Sequence, residues 1–141
     1  MVTIRPIVSN ESSPSLPEWP SHFPTNCPPA DALDLNGTVF LLIATDPPTD
    51  EDMKCAIDRG THRNKPECLR AALSCAVESD HLEEVRQASP RLKHHKLACA
   101  SLKPHHGKIK QTGSPGHHSM WMRAQHLAIG YQLFSLFSVL S

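Results

Sequence analysis

Seven of the thirteen prolines stand in the first 29 residues: Pro6, Pro14, Pro17, Pro20, Pro24, Pro28 and Pro29. Each fixes φ and removes a backbone donor, so this stretch can build neither a helix interior nor a central strand. The density predicts a flexible leader over residues 1–16 and an extended proline-rich segment over 17–30. Trp19, His22 and Phe23 interrupt the second stretch. Large aromatics are unusual in a disordered tail, so Glu18–Pro29 is expected to lie across the surface of one small domain, residues 17–141, with Trp19 and Phe23 as anchors.

The rest of the chain reads as a small α+β fold: two or three helices with a small sheet of about three or four short strands. Hydrophobic residues make up 39% of the 141 positions and aromatics 5%, enough for a modest core. Gly37–Ala44 is an apolar, β-forming run between turn residues. It shows no alternation, so both faces are expected to be buried. Asp46-Pro47-Pro48 ends it. Thr49 then opens a helix, with acids in its first turn and a Met53, Ala56, Ile57 stripe, that stops near Gly60. A second helix begins at Pro66 and carries Leu69, Ala72, Leu73 and Ala76. That spacing sets Cys68 and Cys75 on one helix face. A third, capped around Asp80 and Glu83, reaches Ala88 before Pro90. Lys96–Leu102 and Gly107–Gly113 read as strands, the former with Leu97, Cys99 and Leu102 facing inward. Ser114-Pro115-Gly116 is a turn. Phe134–Leu140 suits a helix or a buried strand equally.

The formal charge is zero, but it is split. Through Glu84 there are 14 acidic and 6 basic residues. Beyond it there are 8 basic residues, no acid and 7 of the 10 histidines. Folding can cancel the two halves, or it can leave a late positive field that favours phosphate-bearing partners. The five cysteines form no C-x-x-C pair and no secretory signal is evident, which predicts free thiols in a reducing cytoplasm. The last apolar run is too short to cross a membrane.

Reactive residue types concentrate in Pro104–Trp121. Glycines allow close backbone approach, lysines hold anions, and histidines exchange protons near neutrality. Lys108, Lys110, Thr112, His117, His118 and Trp121 are the expected ligand contacts. His117 and His118 are the candidate catalytic bases, beside an acid such as Asp46 or Glu67. A metal is the weaker reading, through His105, His106, His117 and His118. Ser74 and Ser119 are possible nucleophiles only if the fold sets a histidine beside one of them. Trp121 could stack on a nucleic-acid base. No cofactor motif is present.

The leader EWPSHFPTNCPP (18–29), the strand GTVF (37–40), PPT (47–49) and the block GKIKQTGSPGHHSMW (107–121) together resemble a family of small uncharacterised bacterial proteins over most of residues 17–121. The resemblance implies that the leader belongs to the folded unit, and it implies no activity. In that family an arginine commonly follows the first-strand aromatic, where this chain has Leu41. Met120 likewise replaces the first of two tryptophans, and residues 122–131 differ from the family's ending. These departures mark a degenerate copy if the arginine is functional.

Three functions fit the pattern. The leading one is a binding protein for a phosphate-bearing or acidic ligand, nucleic acid included. The second is a small transferase or toxin-like nucleotide-modifying enzyme. The third is a protein–protein interaction module.

Overall fold

The computed structural model describes residues 19–127 and 130–136. The expected leader over 1–16 falls outside the described residues, as does the 137–140 part of the segment expected as a helix or a buried strand. The fold is α+β, built on two small antiparallel sheets. One has the order β1 (Leu33–Asp34), β5 (Gly107–Gln111), β6 (His118–Met122), β3 (Leu73–Cys75); the other has β2 (Gly37–Ile43), β4 (Lys96–Leu102), β7 (Ser135–Leu136). The helices α1 (Ala56–Arg59), α2 (Glu67–Arg70) and α4 (Ala124–Leu127) are single turns, while α3 (Ser79–Ala88) is longer.

The inner faces of the two sheets share the main core. Val39, Leu41 and Ile43 meet Ala98, Ala100 and Leu102 of one sheet, and Leu73, Cys75, Met120 and Met122 of the other. Phe40 is on the opposite face of β2, where it packs with Ala76, Leu97 and Leu82 of α3. Both faces of β2 are therefore covered, which is why its sequence shows no alternation. Leu97 and Cys99 share the side of β4 under α3, whereas Leu102 belongs to the inner face, contrary to the expectation that all three point one way. A backbone bridge between Phe40 and Ala76 ties the two sheets together.

A third cluster covers the outer face of the four-stranded sheet. Trp121, 0% exposed, packs with Cys27, Ala32, Ala71 and Ala72, and half-buried Trp19 and Phe23 close over them. The proline-rich segment is thus an apolar cover rather than a strand. Cys27 and Cys68 form a disulfide across this cluster, which leaves Cys55, Cys75 and Cys99 as thiols. This corrects the expectation of five free thiols. It also removes the premise of the cysteine argument for a reducing compartment, since disulfides persist in oxidising ones.

The helix expected from Pro66 to Ala76 ends after one turn, and Leu73–Cys75 is strand β3. The apolar spacing there is real, but β3 finds its backbone partner in β6, with Leu73 opposite Met120 and Cys75 opposite His118. Tertiary pairing outweighs a helical periodicity spread over so few residues. Cys68 and Cys75 consequently lie on different elements, one in the disulfide and the other in the main core. The segment opened by Thr49 is a 3-10 turn, Asp50–Met53, followed by α1, which closes at Gly60 in the left-handed conformation. No helix among the described residues is long and apolar enough to cross a membrane.

Candidate functional site

Strand register decides what the residues of the Gly/Lys/His block face. In β5 and β6, Lys108 stands opposite Trp121 and Lys110 opposite Ser119; in β3, Ser74 stands opposite Ser119. Lys110, Ser119 and Ser74 thus form one row on the outer face of the sheet, because directly opposed residues share a face.

The two lysines are paired with acids of β1 and of the turn before it. Lys108 pairs with Asp34 at 2.9 Å and Lys110 with Asp31 at 2.8 Å. The Lys110 ammonium holds the Asp31 carboxyl below its ordinary value. Lys96 likewise meets Asp46 at 3.5 Å. The early acids therefore cancel much of the late positive field. Asp46, a suggested partner for a catalytic histidine, is occupied elsewhere. The Trp121 indole donates to the Cys68 carbonyl oxygen at 2.8 Å inside the core. It is a structural side chain and not an open ligand face.

The histidine pairs are separated. His117 lies in the loop between β5 and β6, while His118 turns back to the Gly116 carbonyl. His105 and His106 lie tilted against each other, and both meet His126 of α4 edge to face, with ring centroids 4.1, 5.2 and 4.8 Å apart. The four imidazoles considered as metal ligands do not converge. Among the described residues, no group of three or more His, Cys, Asp or Glu side chains is placed to hold a metal ion.

The His105–His106–His126 cluster has its own consequence. His106 is 9% exposed, and its Nδ1 accepts the Lys103 backbone N–H at 2.9 Å. Protonating Nδ1 would break that bond. Burial and the neighbouring His105 and His126 lower the His106 pKa, and burial with His105 and Arg123 lowers that of His126. The unfolded chain therefore binds more protons than the folded one as pH falls through the ordinary histidine value near 6.5,. Stability should be fully present above that value and decline below it. Melting temperatures recorded from pH 7.5 to 5 should fall, and His106→Gln should flatten the curve; the same slope in the variant would remove the cluster as its cause.

A different set of residues meets in a broad open cavity of about 560 Å³ between α1, α2, β3, α3 and the β5–β6 loop. Lys54, Arg59, Lys65, Arg70 and Arg91 line it, with Asp52 as the single carboxylate and His62, His81, His95 and His117 among them. Burial works to raise the Asp52 carboxyl, but hydrogen bonds from Thr45, Thr49 and Ala44 prevail and hold it below its ordinary value. Its charge is thus committed to the 3-10 turn. Arg59 and Arg70 are held by backbone carbonyls, those of Lys54 and Glu51 for the former and Thr61 for the latter. Among the described residues, no carboxylate forms an ion pair with Arg59, Lys65, Arg70 or Arg91. The positive basin exists, but three of these four cations come from the half of the chain that is acidic in sum.

At one wall of the cavity, the His117 ring is gripped from both ends. Nδ1 lies 2.9 Å from the Thr112 carbonyl oxygen and 3.2 Å from the Thr112 hydroxyl. Nε2 lies 3.2 Å from Ser74 Oγ. A carbonyl can only accept, so Nδ1 carries the proton and Nε2 presents its lone pair to the serine. The Thr112 hydroxyl is also hydrogen-bonded to Ser119 Oγ, 2.7 Å away. The loop that makes this possible begins where the Thr112 N–H donates to the His117 carbonyl at 3.1 Å, and it turns through Gly113 and Gly116, both with positive φ. At Gly116 a Cβ would come within 2.5 Å of the His81 ring, so only glycine fits.

Of the expected contacts, then, Thr112 and His117 reach the cavity. Lys108, Lys110, His118 and Trp121 are engaged elsewhere. Sequence reasoning passed over Arg59, Lys65, Arg70 and Arg91. Residues 59–70 hold four of the six early cations with Glu67 as the sole acid, a local signal that the half-chain charge total concealed. Comparisons of the chain with protein-family models, with curated proteins and with solved structures find no match.

Proposed function

We propose that this protein binds a small phosphate-bearing molecule in the cavity lined by Arg59, Lys65, Arg70 and Arg91. The observation that carries the reading is the charge of the lining: Arg59, Lys65, Arg70 and Arg91 have no carboxylate partner among the described residues, Lys54 is paired with Glu51 at 3.0 Å, and the one lining carboxylate, Asp52, is already hydrogen-bonded. Concave walls concentrate such a field and raise the local concentration of anions. The volume lies within the range of about 300–1,000 Å³ usual for small-molecule sites. Guanidinium groups match phosphate oxygens in a bidentate fork. Trp121, which a base-stacking nucleic-acid interface would use, is inside the core, and this favours a small ligand over a strand. Kinship with the small bacterial proteins belongs to the same proposal and supplies no activity.

Thermal-shift measurements with pyrophosphate, mononucleotides and a short single-stranded RNA test it. Pyrophosphate or a nucleotide should raise the melting temperature. The rise should shrink at least tenfold in apparent affinity in Lys65→Ala/Arg91→Gln, a double variant on exposed positions, and stay unchanged in Lys108→Ala. Stabilisation that is lost in Lys108→Ala and kept in the double variant would move the site to the sheet face. No stabilisation by any of the three would end the reading.

A further inference from the structure

We propose that Ser74 and His117 form a nucleophile–base pair that attacks the ester of an anionic molecule held in the cationic cavity. The inference builds on the anion-binding reading and adds a reaction to it. The serine is exposed at the cavity wall, on the short strand β3, with its hydroxyl 3.2 Å from His117 Nε2. That is within the reach required of a catalytic base before substrate binds. The third element of such a system is a group that fixes the tautomer and ring orientation of the base. The Thr112 carbonyl does this, 2.9 Å from Nδ1. A backbone carbonyl takes the place that a carboxylate holds in a triad, so the acid sought from the first half of the chain is not needed. Thr112 is a positioning residue.

A purely structural tie between β3 and the β5–β6 loop would put no constraint on which side of the cross-link is wet. Here the donor side is wet. Ser74 is exposed while Ser119, opposite it in the same row, is buried and linked to Thr112. Arg59, Lys65, Arg70 and Arg91 line the same cavity and would hold the anionic part of the substrate and favour negative charge developing on the reacting ester,.

The steps balance without a cofactor. Ser74 Oγ bonds to the ester carbonyl carbon, and its proton passes to His117 Nε2. The tetrahedral oxyanion collapses, the carbon–alkoxide bond breaks, and His117 returns the proton to the departing alcohol. Water then attacks the acyl-serine, again giving a proton to His117, which passes it back to Ser74 Oγ as the acid leaves. Ester and water become acid and alcohol.

A fluorophosphonate probe reports the pair directly. Ser74 Oγ would bond to phosphorus, fluoride would leave and His117 would accept the proton. Incubating the full chain should add one adduct mass, mapped to Ser74 by peptide mass spectrometry. Ser74→Ala should abolish it, and Ser101→Ala, on the other sheet, should not. His117→Gln should slow it by about 10²-fold or more. Thr112→Val keeps the carbonyl and loses the hydroxyl, so it should label with the same pH profile at a changed rate, and it serves where His117→Gln unfolds. No adduct at Ser74, or labelling unaffected by His117→Gln in a folded variant, overturns the pair. Because labelling is read without added anion, its failure leaves the pyrophosphate shift standing, and failure of that shift leaves a labelled Ser74 standing.

Discussion

Trp121→Ala is expected to lower the unfolding free energy by about 3–5 kcal/mol, the usual cost of deleting a large buried aromatic. The indole is fully enclosed by Cys27, Ala32, Ala71 and Ala72, with Trp19 and Phe23 above. The surrounding side chains are small and the proline-rich cover is built of turns, so the gap has little to collapse into it. The substitution also strips the part-buried Cys68 carbonyl of its indole donor, which adds to the cost. Chemical denaturation measures the effect. Lys108→Ala and Lys110→Ala, which break exposed ion pairs in the same sheet, should each change stability by no more than about 1 kcal/mol. If Trp121→Ala kept full stability and only weakened ligand binding, the assignment of this residue to the core would fail.

Cys68→Ser should cost about 2–4 kcal/mol. The Cys27–Cys68 bridge spans 41 residues, and opening it restores chain entropy to the unfolded state. The damage should reach the site as well, because Cys68 lies in the one-turn helix α2 together with Leu69 and Arg70, both of which line the cavity. A single turn has little stability of its own, and the bridge is what pins it to the proline-rich segment. Pyrophosphate should therefore stabilise the variant less than the parent. Reductant added to the parent should reproduce both effects. Finding five alkylatable thiols in the denatured, unreduced parent would show that the bridge does not form.

The legible parts of the sequence were those governed by near neighbours. Gly37–Ile43 and Lys96–Leu102 stand as the strands read from their apolar runs, and α3 runs to Ala88 before Pro90. The turn at Ser114–Gly116 also stands, since glycine there relieves both a positive φ and the contact with His81. The site was half legible. The block around His117 stands out by its residue types, and Ser74 is a nucleophile only beside a histidine, but nothing local joins residues 43 positions apart. Their meeting depends on β3 pairing with β6, whereas the local apolar spacing over β3 predicts the end of a helix. The cationic cavity was misplaced for a related reason. A charge total runs along the chain, whereas Coulomb interactions follow distance in space.

By itself, the sequence determined the local vocabulary of this protein: a proline-rich segment without helix interior or central strand, two apolar strands, a helix that stops before Pro90 (its N-terminus without the side-chain cap expected from Asp80 and Glu83) and a glycine-turned loop carrying His117. Each follows from dihedral preferences and side-chain spacing within a few residues. Tertiary structure alone decided the chemistry. Pairing of β1 with β5 brought Asp31 and Asp34 onto Lys110 and Lys108 and took those lysines out of service. Pairing of β3 with β6 brought Ser74 to His117. Packing of α1, α2 and α3 beside them left arginines from an acidic half facing an open cavity. Register and packing join residues far apart in the chain, and neither a charge total nor a periodicity contains that information.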